Sequence, residues 1–207
     1  MWHFLFYPLL EIGLNSIIQY NYHPDTPWLF PFYPFNNYKP VHRICYMINF
    51  IFLTFIIGSI LSYSLPVLSF GQNCLHMLIL LLLESGIVYY GHRFVHYNKF
   101  LFNNVHNVHH EFIEVRPFEG SCASPFDILL FTGLILFFPF YTFNLSLPFY
   151  YLYILIIIGT GILDHSGTEF KFFFYNSDWH KIHHKKMTKN YGFPLPIYDM
   201  LHGTHEE

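Results

Sequence analysis

Nine histidines in this chain fall into spacings that could hold metal. His92 and His96 are four apart, His106, His109 and His110 form an H-x-x-H-H block, and His180, His183 and His184 repeat that block. His165 stands alone in Asp164-His165-Ser166-Gly167. On a helix, residues three and four apart share a face. Each set is therefore expected to present two or three ring nitrogens to one point. Neutral imidazole is a ligand that suits iron, zinc or copper. With 15 His in 207 residues, a chance H-x-x-H-H is expected less than about a tenth of once along the chain, and two are present. A closed structural zinc site takes four ligands, so nine imidazoles suit two ions with coordination positions left open. An open iron site binds dioxygen, whereas zinc supplies no redox chemistry. The pattern therefore points to oxygen chemistry.

The elements that must position these rings are apolar. Hydrophobic residues make up 53% and charged residues 11% of the chain, well under the roughly 25% charged in a soluble domain. Aromatics reach 22%, which suits bilayer interfaces. A formal net charge of −3 disfavours a nucleic-acid partner. Three scattered cysteines, Cys45, Cys74 and Cys122, imply no disulfide framework. The opening Met1-Trp2-His3-Phe4 has no basic stretch, so no cleaved signal peptide is expected.

Four apolar runs are expected to form an all-α membrane protein: about 44–63, 74–90, 128–143 and 147–162. The last two are short for a span and are expected to pair. Residues 1–43 form an N-terminal segment ahead of the domain 44–207. Its first 22 residues carry Glu11, Asn15 and Gln19 on one helical face, which fits an interfacial helix or a packed one. Five prolines between 23 and 40 stop any regular helix. Lys39 and Arg43 precede the first run, which puts its start in the cytosol by the positive-inside bias. An even number of crossings then places both polar blocks, 91–127 and 163–207, in that compartment as a histidine-rich helical cap.

The motifs resemble those of the fatty acid hydroxylase superfamily, which includes sterol oxidases, sterol desaturases and sphingoid-base hydroxylases. The resemblance runs from about Glu84 to Thr204. It is carried by His92-Arg93-x-x-His96, by His106-x-x-His109-His110-Glu111-Phe112 and by His180-x-x-His183-His184. His165-Ser166-Gly167, Asn190-Tyr191-Gly192 and Asp199-x-x-x-Gly203-Thr204 also match. Where the family usually has Ala-His-Pro-x-Glu, this chain has Ala123-Ser124-Pro125-Phe126-Asp127.

The resemblance implies a four-helix-type transmembrane bundle in the endoplasmic reticulum with the histidine boxes cytosolic. It implies two Fe ions held by the box histidines, with Zn a substitute on purification. The implied reaction is O2-dependent hydroxylation of a membrane lipid, a sterol or sphingoid base, or desaturation by the same centre. Electrons would come from NAD(P)H through a reductase and a separate cytochrome b5. A non-catalytic metal-binding or transport protein is the alternative from another class, although transporters place their ligands near the bilayer midplane. Carboxylates that could orient ligand rings are Asp164, Asp178, Asp199 and Glu111. Glu84, at membrane depth, is a further candidate.

Overall fold

A computed structural model describes residues 2–22, 39–63, 65–173 and 175–207, apart from the side chains of 139–141. Positions 23–38 of the proline-rich stretch lie outside the described residues.

Three of the expected apolar runs become long helices: α2 (Pro40–Ser62), α3 (Phe70–Tyr97) and α8 (Leu147–Asp164). Among the described residues these are the three helices long and apolar enough to cross a membrane. The fourth run is shorter. It comprises α6 (Pro125–Ile128), a π turn (Leu129–Gly133) and α7 (Leu134–Tyr141), with Pro125–Phe138 as its apolar helical length. Of the two runs expected to be short for a span, this one is, whereas α8 reaches spanning length.

Each long helix is apolar nearly all round. Inward residues such as Leu53, Ile57, Leu80, Tyr153 and Ile157 form one buried core. Ile51, Phe55, Leu78 and Ile87 face outward, as expected where the outer solvent is lipid.

The helix directions follow from contacts at the two ends. At one end, Asn73 near the start of α3 accepts from the Ser146 backbone N–H at 2.8 Å, and Ser146 Oγ accepts from Leu68 N at 2.8 Å. Ser69 closes a capping box with Gln72 there. Thus α3 and α8 start together and run in parallel. At the other end, Glu111 binds Lys39 and His42, each at 2.7 Å, which places the start of α2 beside the cap. The histidine blocks gather at this end. At about 1.5 Å per residue, the 28 residues of α3 extend about 42 Å. A hydrocarbon core is about 30 Å thick, so α3 has turns to spare, and its last two carry His92 and His96.

Of the two placements open to the first helix, α1 (His3–Tyr22) takes the packed one, against α2 and α8. Its polar face turns inward, with Glu11, Asn15 and Gln19 all buried. Asn15 Oδ1 accepts from Phe118 N at 2.9 Å, and Ser121 donates to Glu11 at 2.9 Å. Glu84 is fully buried and takes the Tyr153 hydroxyl, so it joins α3 to α8 and touches no histidine of the cap. The cap is built from α4 (Lys99–Leu101), a π turn (Phe102–His106), α5 (Asn107–His110), the hairpin β1 (Lys171–Phe172) with antiparallel β2 (Tyr175–Asn176), α9 (Asp178–Lys186) and α10 (Ile197–His202).

Asn49 on α2 is wholly buried and donates to the carbonyls of Ser121 at 2.9 Å and Ala123 at 2.8 Å. It ties the 119–123 loop to the bundle. Asn49→Leu would leave both acceptors unpaired, at about 1–3 kcal/mol each. A clear fall in the thermal unfolding midpoint in detergent is expected; an unchanged midpoint would show that the loop is held by other contacts.

Candidate metal centre

The nine box histidines lie in two groups. His92, His96, His106, His110 and His183 form one, and His109, His165, His180 and His184 the other; within each, one ligand atom per residue lies within 4.8 Å of all the rest. The groups are neighbours, with the His110 and His184 rings 4.7 Å apart across the boundary.

The expectation that each block aims at one point is corrected here. Where the π turn runs into α5, the i, i+4 pair His106/His110 goes to the first group and His109 to the second. In α9 the pair His180/His184 goes to the second and His183 to the first. At 3.6 residues per turn, positions i and i+4 differ by about 40° in azimuth, whereas i+3 and i+4 differ by about 100°. The middle histidine of each block therefore points to the other group. The i, i+4 pair of α3 and the single ring after α8 complete the two sets.

The ring nitrogens face one another. In the first group, His106 Nε2 lies 2.9 Å from His92 Nε2 and 3.0 Å from His110 Nε2, and His183 Nε2 lies 3.2 Å from His110 Nε2. In the second, His165 Nε2 lies 3.3 Å from His109 Nε2 and 2.9 Å from His180 Nε2, with His184 and His180 at 3.0 Å. Ligands about 2.1 Å from an ion and at right angles to each other are about 3.0 Å apart, against about 3.4 Å in a tetrahedron. The spacing matches the right-angled arrangement more closely.

The far sides of the rings decide which nitrogen is bare. His92 Nδ1 donates to the Tyr191 carbonyl at 3.0 Å, His165 Nδ1 to Gly161 at 2.8 Å and His183 Nδ1 to Lys189 at 2.7 Å. His106 Nδ1 donates to both oxygens of Asp127, at 3.0 and 2.9 Å. A neutral ring with its proton on Nδ1 carries a lone pair on Nε2. The 2.9 Å approach of His92 to His106 is thus lone pair to lone pair, which a cation between them would relieve. His96 Nε2 is likewise buried with no hydrogen-bond partner. Burial first, then repulsion from neighbouring rings, holds His106, His109, His110, His180, His183 and His184 well below the ordinary imidazole value. Burial lowers His165 to about 4. The rings are neutral near pH 7, the form that binds metal.

None of the carboxylates expected behind the rings bonds a box histidine. Asp164 accepts from the Tyr175 hydroxyl at 2.7 Å. Asp178 begins α9, and its backbone N–H is held by Asn176 Oδ1 at 3.1 Å. Asp199 accepts from Tyr191 N at 2.9 Å, Gly192 N at 2.5 Å and the Thr204 hydroxyl at 2.8 Å. It acts at one remove, by shaping the loop whose carbonyls hold His92 and His183. A Cβ on Gly192 would lie 2.6 Å from Asp199 Oδ2, so only glycine lets the carboxylate close on that loop. Glu111 serves the ion pairs with α2.

The carboxylate that reaches a ring is Asp127, which sequence reasoning passed over. Its signal was its place in Ala123-Ser124-Pro125-Phe126-Asp127. Ser124 caps α6 by accepting from Asp127 N at 3.2 Å, with Pro125 in the first turn. Serine at the usual histidine position therefore fixes the start of the turn that presents Asp127. His202 stacks on Tyr89 with centroids 5.1 Å apart and meets the Tyr90 hydroxyl at 2.9 Å, away from both groups.

A cavity opens onto both groups. His92 and His106 line it from the first, and His109, His165 and His180 from the second; Val88, Ile128, Phe131 and Phe193 supply apolar walls.

A family model for fatty acid hydroxylase matches residues 77–204, more than half of the chain. The chain belongs to the fatty acid hydroxylase family. Among curated relatives, Methylsterol monooxygenase erg25B of Aspergillus fumigatus is 26% identical over 152 residues, 68% of this chain and 51% of that protein. Very-long-chain aldehyde decarbonylase GL1-11 of Oryza sativa is 29% identical over 157 residues, 71% of this chain and 58% of that protein. Protein CER1-like 2 of Arabidopsis thaliana is 28% identical over 151 residues, 63% of this chain and 24% of that protein. The chain spans about half the length of the methylsterol monooxygenases it matches. No solved structure matches it.

Two outcomes test the centre. Asp127→Asn weakens the acceptor behind His106 and should lower metal affinity about 10- to 100-fold, read by competition with a chelator; unchanged affinity would remove Asp127 from the support of the site. In metal-free protein, the unfolded chain takes up protons below the ordinary imidazole value of 6.5, while folded rings such as His165 resist until about 4. The unfolded state then binds more protons, so stability should fall as pH drops from 6.5 towards 4. Unfolding of stripped protein across that range provides the check.

Proposed function

We propose that this chain is a di-iron, O2-dependent oxidoreductase that hydroxylates a membrane lipid, with a sterol as the favoured substrate class. One observation carries the reading: two neighbouring groups of bare imidazole nitrogens open onto a cavity with apolar walls. The donor set fits iron. It is all neutral nitrogen, its spacing suits right-angled coordination, and a two-ion centre with open positions is the arrangement that oxygen chemistry needs. His92, His96, His106, His110 and His183 would hold one ion, and His109, His165, His180 and His184 the other. Iron bound there supplies dioxygen binding and, after reduction, an oxidant for an unactivated C–H bond.

The chain's own residues do the rest. Tyr191, Lys189, Gly161 and Asp127 fix the outer nitrogens of His92, His183, His165 and His106, so the inner lone pairs of those four rings are set before any ligand arrives. Phe131, Phe193, Val88 and Ile128 exclude water and hold an apolar body, so positioning would select the carbon attacked. The sterol class is favoured by the names of the Aspergillus fumigatus relatives, both methylsterol monooxygenases. The name of the rice relative supports a second reading, in which the same centre acts on a long-chain aldehyde. Desaturation by this centre is a third outcome for the same test.

Electrons would come from NAD(P)H through a reductase and a separate cytochrome b5. Placement in the endoplasmic reticulum with the cap in the cytosol is supported by Lys39 and Arg43 standing at the cap end of α2. Lys181, Lys185, Lys186 and Lys189 lie in or just after α9, within the cap itself.

Purified full chain should carry about two irons and, with an electron donor, consume oxygen while oxidising a methylsterol. His109→Ala should cut product to below about 1% of the parent. Metal-loaded protein that oxidises neither methylsterol, sphingoid base nor long-chain aldehyde would overturn the reading.

A further inference from the structure

The hairpin that follows α8 leaves two aromatic side chains uncovered. Phe172 is 62% exposed and Phe173 89%, and their rings meet only edge to face, with centroids 4.6 Å apart. The root of the hairpin is closed. Ser177 N donates to the Phe170 carbonyl at 3.0 Å, and Ser177 Oγ accepts from Phe170 N at 2.9 Å and donates to the Thr168 carbonyl at 2.6 Å. A fixed root therefore holds the two rings out. A pair of phenylalanines presented this way marks a contact surface.

A second tie sets the depth of the tip. The Tyr175 hydroxyl lies 2.7 Å from Asp164 Oδ1 and 3.1 Å from the Thr160 carbonyl, so β2 is fastened to the last turn of α8. That helix has 18 residues, about 27 Å at 1.5 Å each, against a hydrocarbon core of about 30 Å. Unlike α3, it has no turn to spare. A crossing uses all of it, and its last turn lies at the edge of the hydrocarbon. Phe172 pairs with Tyr175 across the ladder, about 5 Å away between Cα atoms. Phe173 is two residues from Tyr175, within about 7 Å. Both rings are thus carried at the level where α8 ends.

We propose that the β1–β2 hairpin anchors the cap in the bilayer, with Phe172 and Phe173 inserted at the boundary between headgroups and acyl chains. Lipid is the occupant because the tie to α8 holds the rings at that boundary. Lys171 is exposed on the same strand, and its side chain leaves the opposite face from Phe172, from where its ammonium can reach a lipid phosphate. The anchor seats the cap unevenly: α3 carries it clear of the hydrocarbon, whereas the hairpin draws it down over α8. Gly161, Asp164 and His165, which line the histidine cavity, lie on the seated side.

Fluorescence of the full chain carrying Phe173→Trp, in phosphatidylcholine nanodiscs with both faces open to solvent, tests the anchor. The quantity read is the emission added over that of the parent. Lipids brominated near the headgroup and lipids brominated near the chain end are compared with aqueous iodide. The shallow bromines should quench more than the deep ones, as insertion by about 5–10 Å requires, and iodide should quench several-fold less than it quenches free tryptophanamide. Phe172→Trp serves the same comparison if Phe173→Trp fails to fold. Iodide quenching equal to that of the free compound, with no effect of bromine, overturns the anchor and leaves the tip in water. Emission that neither quencher reaches also overturns it and puts a protein surface over the tip. No oxidation is measured, so the outcome is independent of whether the centre hydroxylates a lipid.

Discussion

Bare imidazole nitrogens converging out of water are the constraint that the rest of this structure serves. The neutral rings of His92 and His106, both with the proton on Nδ1, face each other lone pair to lone pair at 2.9 Å and repel. Four of the rings, His92, His106, His165 and His183, are gripped from behind. The grip comes mostly from main-chain carbonyls, at Gly161, Lys189 and Tyr191, and once from a carboxylate, Asp127. Those carbonyls must themselves be held. Asp199 gathers the amides of Tyr191 and Gly192 and the hydroxyl of Thr204. Asn190, with φ of 54°, binds the carbonyls of Trp179 and Glu206. The Asn-Tyr-Gly and Asp-x-x-x-Gly-Thr elements are therefore one bracket behind two of the rings, although neither contributes a ligand.

Helix geometry then divides the rings. An H-x-x-H-H block on a single helix cannot send all three rings to one point, because its middle histidine lies about 100° round from the last. Two such blocks, one where the π turn runs into α5 and one on α9, solve the mismatch reciprocally, each giving a pair to one group and a single ring to the other. The repeated block in the sequence thus encodes two neighbouring sites through angular arithmetic. The π turn Phe102–His106, ending on a box histidine, is of the kind that recurs at functional positions.

Much of this was legible in the residues. Spacing singled out the nine histidines as a set, and apolar runs marked α2, α3 and α8 to within a few residues at most ends. Three things were not legible. The 40°-against-100° split needs the helix to be built before it shows. Carbonyl acceptors have no side-chain signature, so the role of 189–192 could not be read from residue types. Among carboxylates, proximity in sequence misled: Asp164 neighbours His165 in the chain but turns to Tyr175, whereas Asp127, 21 residues from His106, reaches its ring. Glu84 looked exceptional because a carboxyl at membrane depth is costly, and it found its partner in Tyr153 on the facing helix.

The position of the centre follows from a length mismatch. A helix confined to the hydrocarbon needs about 20 residues, and α3 has 28. The surplus is long enough to carry His92 and His96 beyond a hydrocarbon layer, while Leu80 and Val88 of the same helix lie in the protein's core. One wall of the cavity is therefore continuous with the lipid-facing bundle, and the opposite wall belongs to a polar cap where ligand rings can be supported by hydrogen bonds. Polar residues of the bundle turn inward, as Glu11, Asn15 and Asn49 do against the 118–123 loop. That loop joins the two walls: its Gly120 touches His165, and its neighbours are tied to α1 and α2. A displacement of the bundle helices would thus be felt directly at the histidine rings.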